Sequence, residues 1–242
     1  MSDPLEKVLT YTLIPVVATI AGGIIAAFRS PGEKTRISVQ HFAAGVVFAA
    51  VAAELLPELV TNLRVIPLLL GFSSGVALML AVRWAMGRLE KKRETGKKGA
   101  GGLLVASGVD VFIDGLLVGI SFDIGLREGI IITIALTIEL LFLAVSVASS
   151  LAKENAGKAR IIASTTLLAL LVLAGATLGG TLLEGLSGGG LEVIIAFATA
   201  ALLYLVTEEL LVEAHDGPDT AFTTAMFFVG FLSILILESL TN

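Results

Sequence analysis

The sequence predicts an all-α integral membrane protein of eight transmembrane helices in a 3+2+3 inverted-repeat arrangement. Three observations predict it. First, 56% of the 242 residues are hydrophobic and only 15% are charged, with a mean hydropathy of +0.96; too little charge remains to cover a soluble surface of this size. Second, apolar runs of about 20 residues recur along the whole chain, the length a helix needs to cross a hydrocarbon core of about 30 Å. Third, two of these runs repeat one another in opposite orientations.

Taken in order between charge clusters, the spans lie near 8–28, 39–60, 66–86, 102–122, 129–151, 159–183, 191–212 and 220–240, all within a single transmembrane domain. Continuous apolar runs without strict alternation are helices rather than barrel strands. The segments after spans one, three and five hold Arg29, Lys34 and Arg36; Arg83, Arg88, Lys91, Lys92, Arg93, Lys97 and Lys98; and Lys153, Lys158 and Arg160. The opposite side has only Lys7, Arg64 and Arg127. Basic residues mark the cytoplasmic face, so both termini are expected on the non-cytoplasmic side. The final cytoplasmic loop, 213–219, has no Lys or Arg and adds nothing to that count. The longest linker, 87–101, basic and Gly-rich (KKRETGKKGAG over 91–101), reads as a solvated cytoplasmic loop that fixes topology. Trp84 with Arg83 reads as an interfacial anchor. A net charge of −5 speaks against nucleic acid as a partner, and a chain without cysteine has no thiolate metal site. The first ten residues lack the basic stretch of a cleavable signal.

The repeat relates the second and seventh spans. At an offset of 155, FAAGVVFAAVAAELLPE (Phe42–Glu58) falls on FATAALLYLVTEELLVE (Phe197–Glu213), so Glu54 meets Glu209 and Glu58 meets Glu213. One copy runs outward and the other inward, and inverted repeats of this kind are the sequence trace of alternating-access transporters. Spans four and five fall between the repeated triplets. The pairs Gly71/Gly75 and Gly175/Gly179 suit close helix packing.

Spans four and five carry the chemistry. The fourth, GLLVASGVDVFIDGLLVGISF, holds Asp110 and Asp114 four residues apart, on one helix face. The fifth carries Glu139 near its centre. The short connection makes the two helices antiparallel neighbours, so all three carboxylates can share one depth. An acid at mid-membrane costs about 2.5–3.5 kcal/mol on insertion scales. Three of them must therefore face the bundle interior, share protons or hold a cation. Oxygen ligands suit hard or borderline divalent ions such as Mn²⁺, Fe²⁺ or Zn²⁺. Glu54, Glu58, Glu208, Glu209, Glu213, His41 and His215 lie nearer the span ends and mark a candidate inlet or outlet path. His41 and His215 fall near the cytoplasmic face, where Glu213 would complete a transient site.

These motifs resemble those of the ZIP (Zrt/Irt-like) family of divalent metal transporters, over nearly the whole chain. AAGVVFAAVAAELLPE resembles the family's second span and ALLYLVTEELLVE its seventh. DVFIDGLLVG is similar to the fourth-span signature H-N-F-x-D-G, with Phe112, Asp114 and Gly115 in place; Asp110 stands for its His and Val111 for its Asn. The fifth-span H-E-x-P-H-E reads Ile138, Glu139, Leu140, Leu141, Phe142, Leu143, which keeps only the first acid. The resemblance implies transport of divalent metal (zinc, iron or manganese) into the cytoplasm across the plasma (inner) membrane, with a homodimer as the assembly, lipid as its surroundings, and metal as substrate rather than as a permanently bound cofactor. The family's binuclear site would shrink to one made by Asp110, Asp114 and Glu139. A transport-inactive scaffold or sensor is the alternative. An intramembrane protease is the remote one: Asp110 and Asp114 share a helix, HExxH is absent, and Glu213 occupies the Arg position of an EExxxR motif that would begin at Glu208.

Overall fold

The structure, a computed structural model, describes residues 4–29, 31–61, 64–93, 100–182, 188–215 and 220–241. Residues 94–99 of the basic linker and the Glu213 side chain, both used in the sequence reading, lie outside the described ones. Among the described residues there is no strand, and eight helices are long and apolar enough to cross a membrane. They are α1 (Pro4–Phe28), α2 (Glu33–Ala50, continued by Val51–Leu55 and Leu56–Thr61), α3 (Val65–Arg93), α4 (Ala100–Ile124), α5 (Leu126–Lys153), α6 (Lys158–Leu182), α7 (Gly189–Tyr204, continued by Leu205–Leu210 and Leu211–His215) and α8 (Ala221–Thr241).

Local chemistry sets the ends. Gly125 alone separates α4 from α5, which forces the two helices to lie antiparallel. After α5, Asn155 takes a left-handed conformation (φ 61°); Asn155 N–H donates to the Ala152 carbonyl and Ala156 N–H to that of Leu151, a Schellman closure of the helix end. Gly188 (φ 61°) opens α7 in a conformation only glycine adopts without strain. Threonines inside the helices satisfy their hydroxyls locally: Thr12, Thr133 and Thr199 donate to the carbonyls of Val8, Gly129 and Ile195, four residues back, so these three are buried paired.

The linker after span three differs from its expected extent. Helix α3 runs past Gly87 to Arg93, because RLEKKR is built of good helix formers with no breaker. Trp84 also has another partner: Arg88, one turn on, stacks 3.7 Å over its ring, while Arg83 turns to α7.

Helices α2, α4, α5 and α7 bury most of their length, and α3 and α8 least. Helix α4 packs on α6 and α5, α1 on α5 and α6, α2 on α8 and α5, and α3 on α7. Glycines set the closest approaches. A Cβ on Gly115 would strike the Val172 carbonyl, and one on Gly175 the Phe112 carbonyl, so α4 and α6 touch backbone to backbone. On the other side, a Cβ on Gly75 would meet the Phe197 carbonyl and one on Gly230 the Phe42 carbonyl. These two contacts exchange under the offset of 155 that aligns spans two and seven: Gly75 maps to Gly230 and Phe42 to Phe197. The same offset relates a wider turn in each helix, where Leu56 N–H donates to the Val51 carbonyl and Leu211 N–H to that of Val206. These five-residue spacings are π turns, which occur mostly at functional positions. Pro57 follows the first, but its counterpart Val212 shows that no proline is required.

Candidate metal centre

Between the buried helices α4 and α5, Asp110, Asp114 and Glu139 come together. Each offers a carboxylate oxygen, and these atoms all lie within 4.8 Å of one another. Three points so spaced lie within about 2.8 Å of a common centre, close to the about 2.0–2.6 Å of divalent ion–oxygen bonds, so small side-chain rotations would let one ion meet all three. The helical period places Asp110 and Asp114 on one face of α4, and the single-residue link at Gly125 sets Glu139 opposite them at matching depth.

Asp114 is the telling member. It is fully buried, and neither carboxylate oxygen has a hydrogen-bond partner. A buried polar atom left unsatisfied costs about 1–3 kcal/mol, and a carboxylate in this state is a ligand waiting for a cation or a proton. Glu139 is equally buried.

A fourth carboxyl joins them from α7. The Glu209 side chain lies beside Asp110. Asp110, Glu139 and Glu209 line a cavity of about 40 Å³ together with Gln40 of α2 and the apolar Phe142 and Leu205. Space of that size admits a few waters, or one partly hydrated ion.

The remaining sequence candidates divide sharply. Glu208, next in sequence to Glu209, turns away and pairs with Arg83 of α3 at 2.6 Å, tying α3 to α7. Glu54 lies near the far end of α2, buried, with Arg127 of α5 3.7 Å away; Arg127 also pairs with Glu238 of α8 at 3.3 Å. Glu58 borders a small cleft with Arg64 and Glu192, and those two residues form a bidentate pair that holds the guanidinium charge firmly, raising the Arg64 pKa. His41 is buried and His215 exposed, with ring centroids 5.2 Å apart. None of Glu54, Glu58, Glu208, His41 or His215 belongs to the carboxylate group.

Three contributors were not singled out from sequence. Gln40 carries the one available signal, an amide inside an apolar span. Arg127 read only as a topological charge, and Glu238 carried no reading; the pairing of Arg127 with Glu54 and Glu238 is visible only in three dimensions.

Residues 91–238 match the family model described as ZIP Zinc transporter. No curated protein matches the chain.

Proposed function

The chain belongs to the ZIP zinc transporter family, a family of multi-pass membrane transporters of divalent metals, and from that premise we propose that it carries Zn²⁺, Fe²⁺ or Mn²⁺ into the cytoplasm through Asp110, Asp114 and Glu139. The observation that carries this reading is the convergence of three carboxylates inside a lipid-facing bundle, with Asp114 fully buried and unpartnered. Oxygen-only ligation favours Mn²⁺ or Fe²⁺ more than an imidazole-rich site would.

Movement follows from the repeat. The exchanged glycine contacts of α3–α7 and α2–α8, and the paired π turns of α2 and α7, support a 3+2+3 inverted repeat rocking around α4 and α5. In that scheme Glu54 gathers the ion at the non-cytoplasmic end and Glu209 receives it on the other side. Glu209 can act so because it shares a cavity with Asp110 and Glu139, and a carboxyl that holds a proton in the empty site gives it up when an ion arrives. The distribution of Lys and Arg supports both termini outside the cytoplasm; the plasma membrane is what the family resemblance implies. The homodimer remains what the family resemblance implies.

The test is uptake of Mn²⁺, Fe²⁺ and Zn²⁺ into vesicles reconstituted with the protein. Neutralising Asp110, Asp114 and Glu139 together should abolish it. Full transport by that triple variant would overturn the carboxylate pathway. A wild type that binds metal but passes none would make the chain a scaffold or sensor instead.

A further inference from the structure

We propose that a cavity between α1, α2 and α5, at the end of the bundle that carries the basic loops, is a binding site for one anionic phospholipid. Helices α1 and α2 are consecutive, but Pro31 and Gly32 break the chain between them. They then pack on different neighbours, α1 on α5 and α6 and α2 on α8 and α5. Gly22 draws α1 onto α5, where a Cβ would lie 2.6 Å from the Leu141 carbonyl. One turn further along α1, at Ile25, the three helices part around a cavity of about 220 Å³.

Its walls and its mouth differ in chemistry. Ile25, Val39, Leu141, Phe142 and Val145 make the walls apolar, so water finds too few hydrogen-bond partners to fill the space. An apolar chain fits there. Arg29, just past the end of α1, and Arg36, in the first turns of α2, border the same cavity at its membrane-surface end. Among the described residues no carboxylate pairs with either guanidinium. A third cation stands at this corner: Lys158 of α6 lies 4.2 Å over the ring of Phe28, the residue before Arg29.

An apolar slot under a cationic mouth is complementary to an acyl chain that ends in a phosphate. Guanidinium binds phosphate through two parallel hydrogen bonds, and basic pockets between helices on the cytoplasmic side hold anionic headgroups. A zwitterionic lipid brings an ammonium that the arginines repel, so the occupant carries net negative charge. The same charges repel a divalent cation, which separates this opening from the metal path. The two spaces nonetheless share a wall, because Gln40 and Phe142 line both. A chain in the slot supports those two side chains from behind and favours the present arrangement of α2 and α5. That link to uptake rests on the transport reading; the lipid site does not.

Native mass spectrometry of the detergent-purified protein, titrated with phosphatidylglycerol or with phosphatidylcholine of the same acyl chains, reads the site without metal. One phosphatidylglycerol per chain should be retained, at least tenfold more tightly than phosphatidylcholine. Arg29→Gln with Arg36→Gln should erase that preference, whereas Arg88→Gln with Lys91→Gln, an equal loss of charge at the end of α3, should keep it. Ile25→Trp fills the slot and leaves both arginines; Ile25 is 59% exposed, so the fold tolerates the change, and retention should fall at least tenfold. Equal retention of the two lipids, equal losses in the two double variants, or unchanged retention by Ile25→Trp would overturn the site. Displacement of the lipid by inorganic phosphate alone would do the same, by reducing the mouth to a phosphate site. In vesicles of three parts phosphatidylcholine to one of phosphatidylglycerol, Mn²⁺ uptake should be several-fold faster for wild type than for the Arg29→Gln, Arg36→Gln protein, and equal in phosphatidylcholine alone. Equal rates in both vesicles would overturn the link to uptake.

Discussion

Asp114→Asn tests the centre through the protons it exchanges as well as the metal it binds. With oxygens no more than 4.8 Å apart, two ionised carboxylates repel by about 3.5 kcal/mol at an effective dielectric of about 20. Three pairs make about 10 kcal/mol on the same basis, which an empty buried site relieves by holding protons. A divalent ion reverses the balance and expels protons, so wild type should release at least one per ion near neutral pH. Its affinity should then drop about tenfold for each pH unit of acidification per proton released. Asparagine at 114 removes two of the three repulsive pairs, about 7 kcal/mol on the same estimate, together with one ligand. It should release about one proton fewer and bind more than tenfold more weakly. Calorimetry at two pH values, in buffers of different ionisation enthalpy, gives both numbers. Equal proton release and equal affinity in wild type and variant would refute the shared-site reasoning.

Other outcomes follow from particular contacts. Arg127→Ala takes away the cation that sits between Glu54 and Glu238, so the KM for external metal should fall several-fold and become more sensitive to salt; an unchanged KM in vesicle uptake would contradict this. Asp110→His supplies an imidazole to the centre and should shift competitive uptake toward Zn²⁺ over Mn²⁺; an unchanged ratio would separate Asp110 from ion selection. Gly75→Ala and Gly230→Ala both drive a methyl into a carbonyl of the facing helix and should each lower stability by about 1–3 kcal/mol, whereas Gly87→Ala, with open space around it, should not; thermal unfolding in detergent compares the three. A tag at either terminus should be reached by a non-permeant label in intact cells, and labelling of a tag in the 87–101 linker alone would reverse the orientation.

Hydrophobic run length and the spacing of charges are local properties. The sequence by itself therefore determined the eight spans, the shared face of Asp110 and Asp114, and the match between the second and seventh spans. Glu139 was also legible, since one acid in an apolar run has nowhere to face but the interior. Tertiary structure decided which acids meet. Glu208 and Glu209 are neighbours about 100° apart around α7, and reading the chain gives no reason to prefer either. They lie within the π turn Leu205–Leu210, where an extra residue per turn breaks the 3.6 period on which any prediction of a helix face relies. The rotation of α7 against α3 and α4 then sends Glu208 to Arg83 and Glu209 to Asp110. In the same way, Arg127 reaches Glu54 and Glu238, and His41 reaches His215, across sequence separations that no local rule spans. Only the packing of the helices fixes which of these distant side chains share one depth and one face.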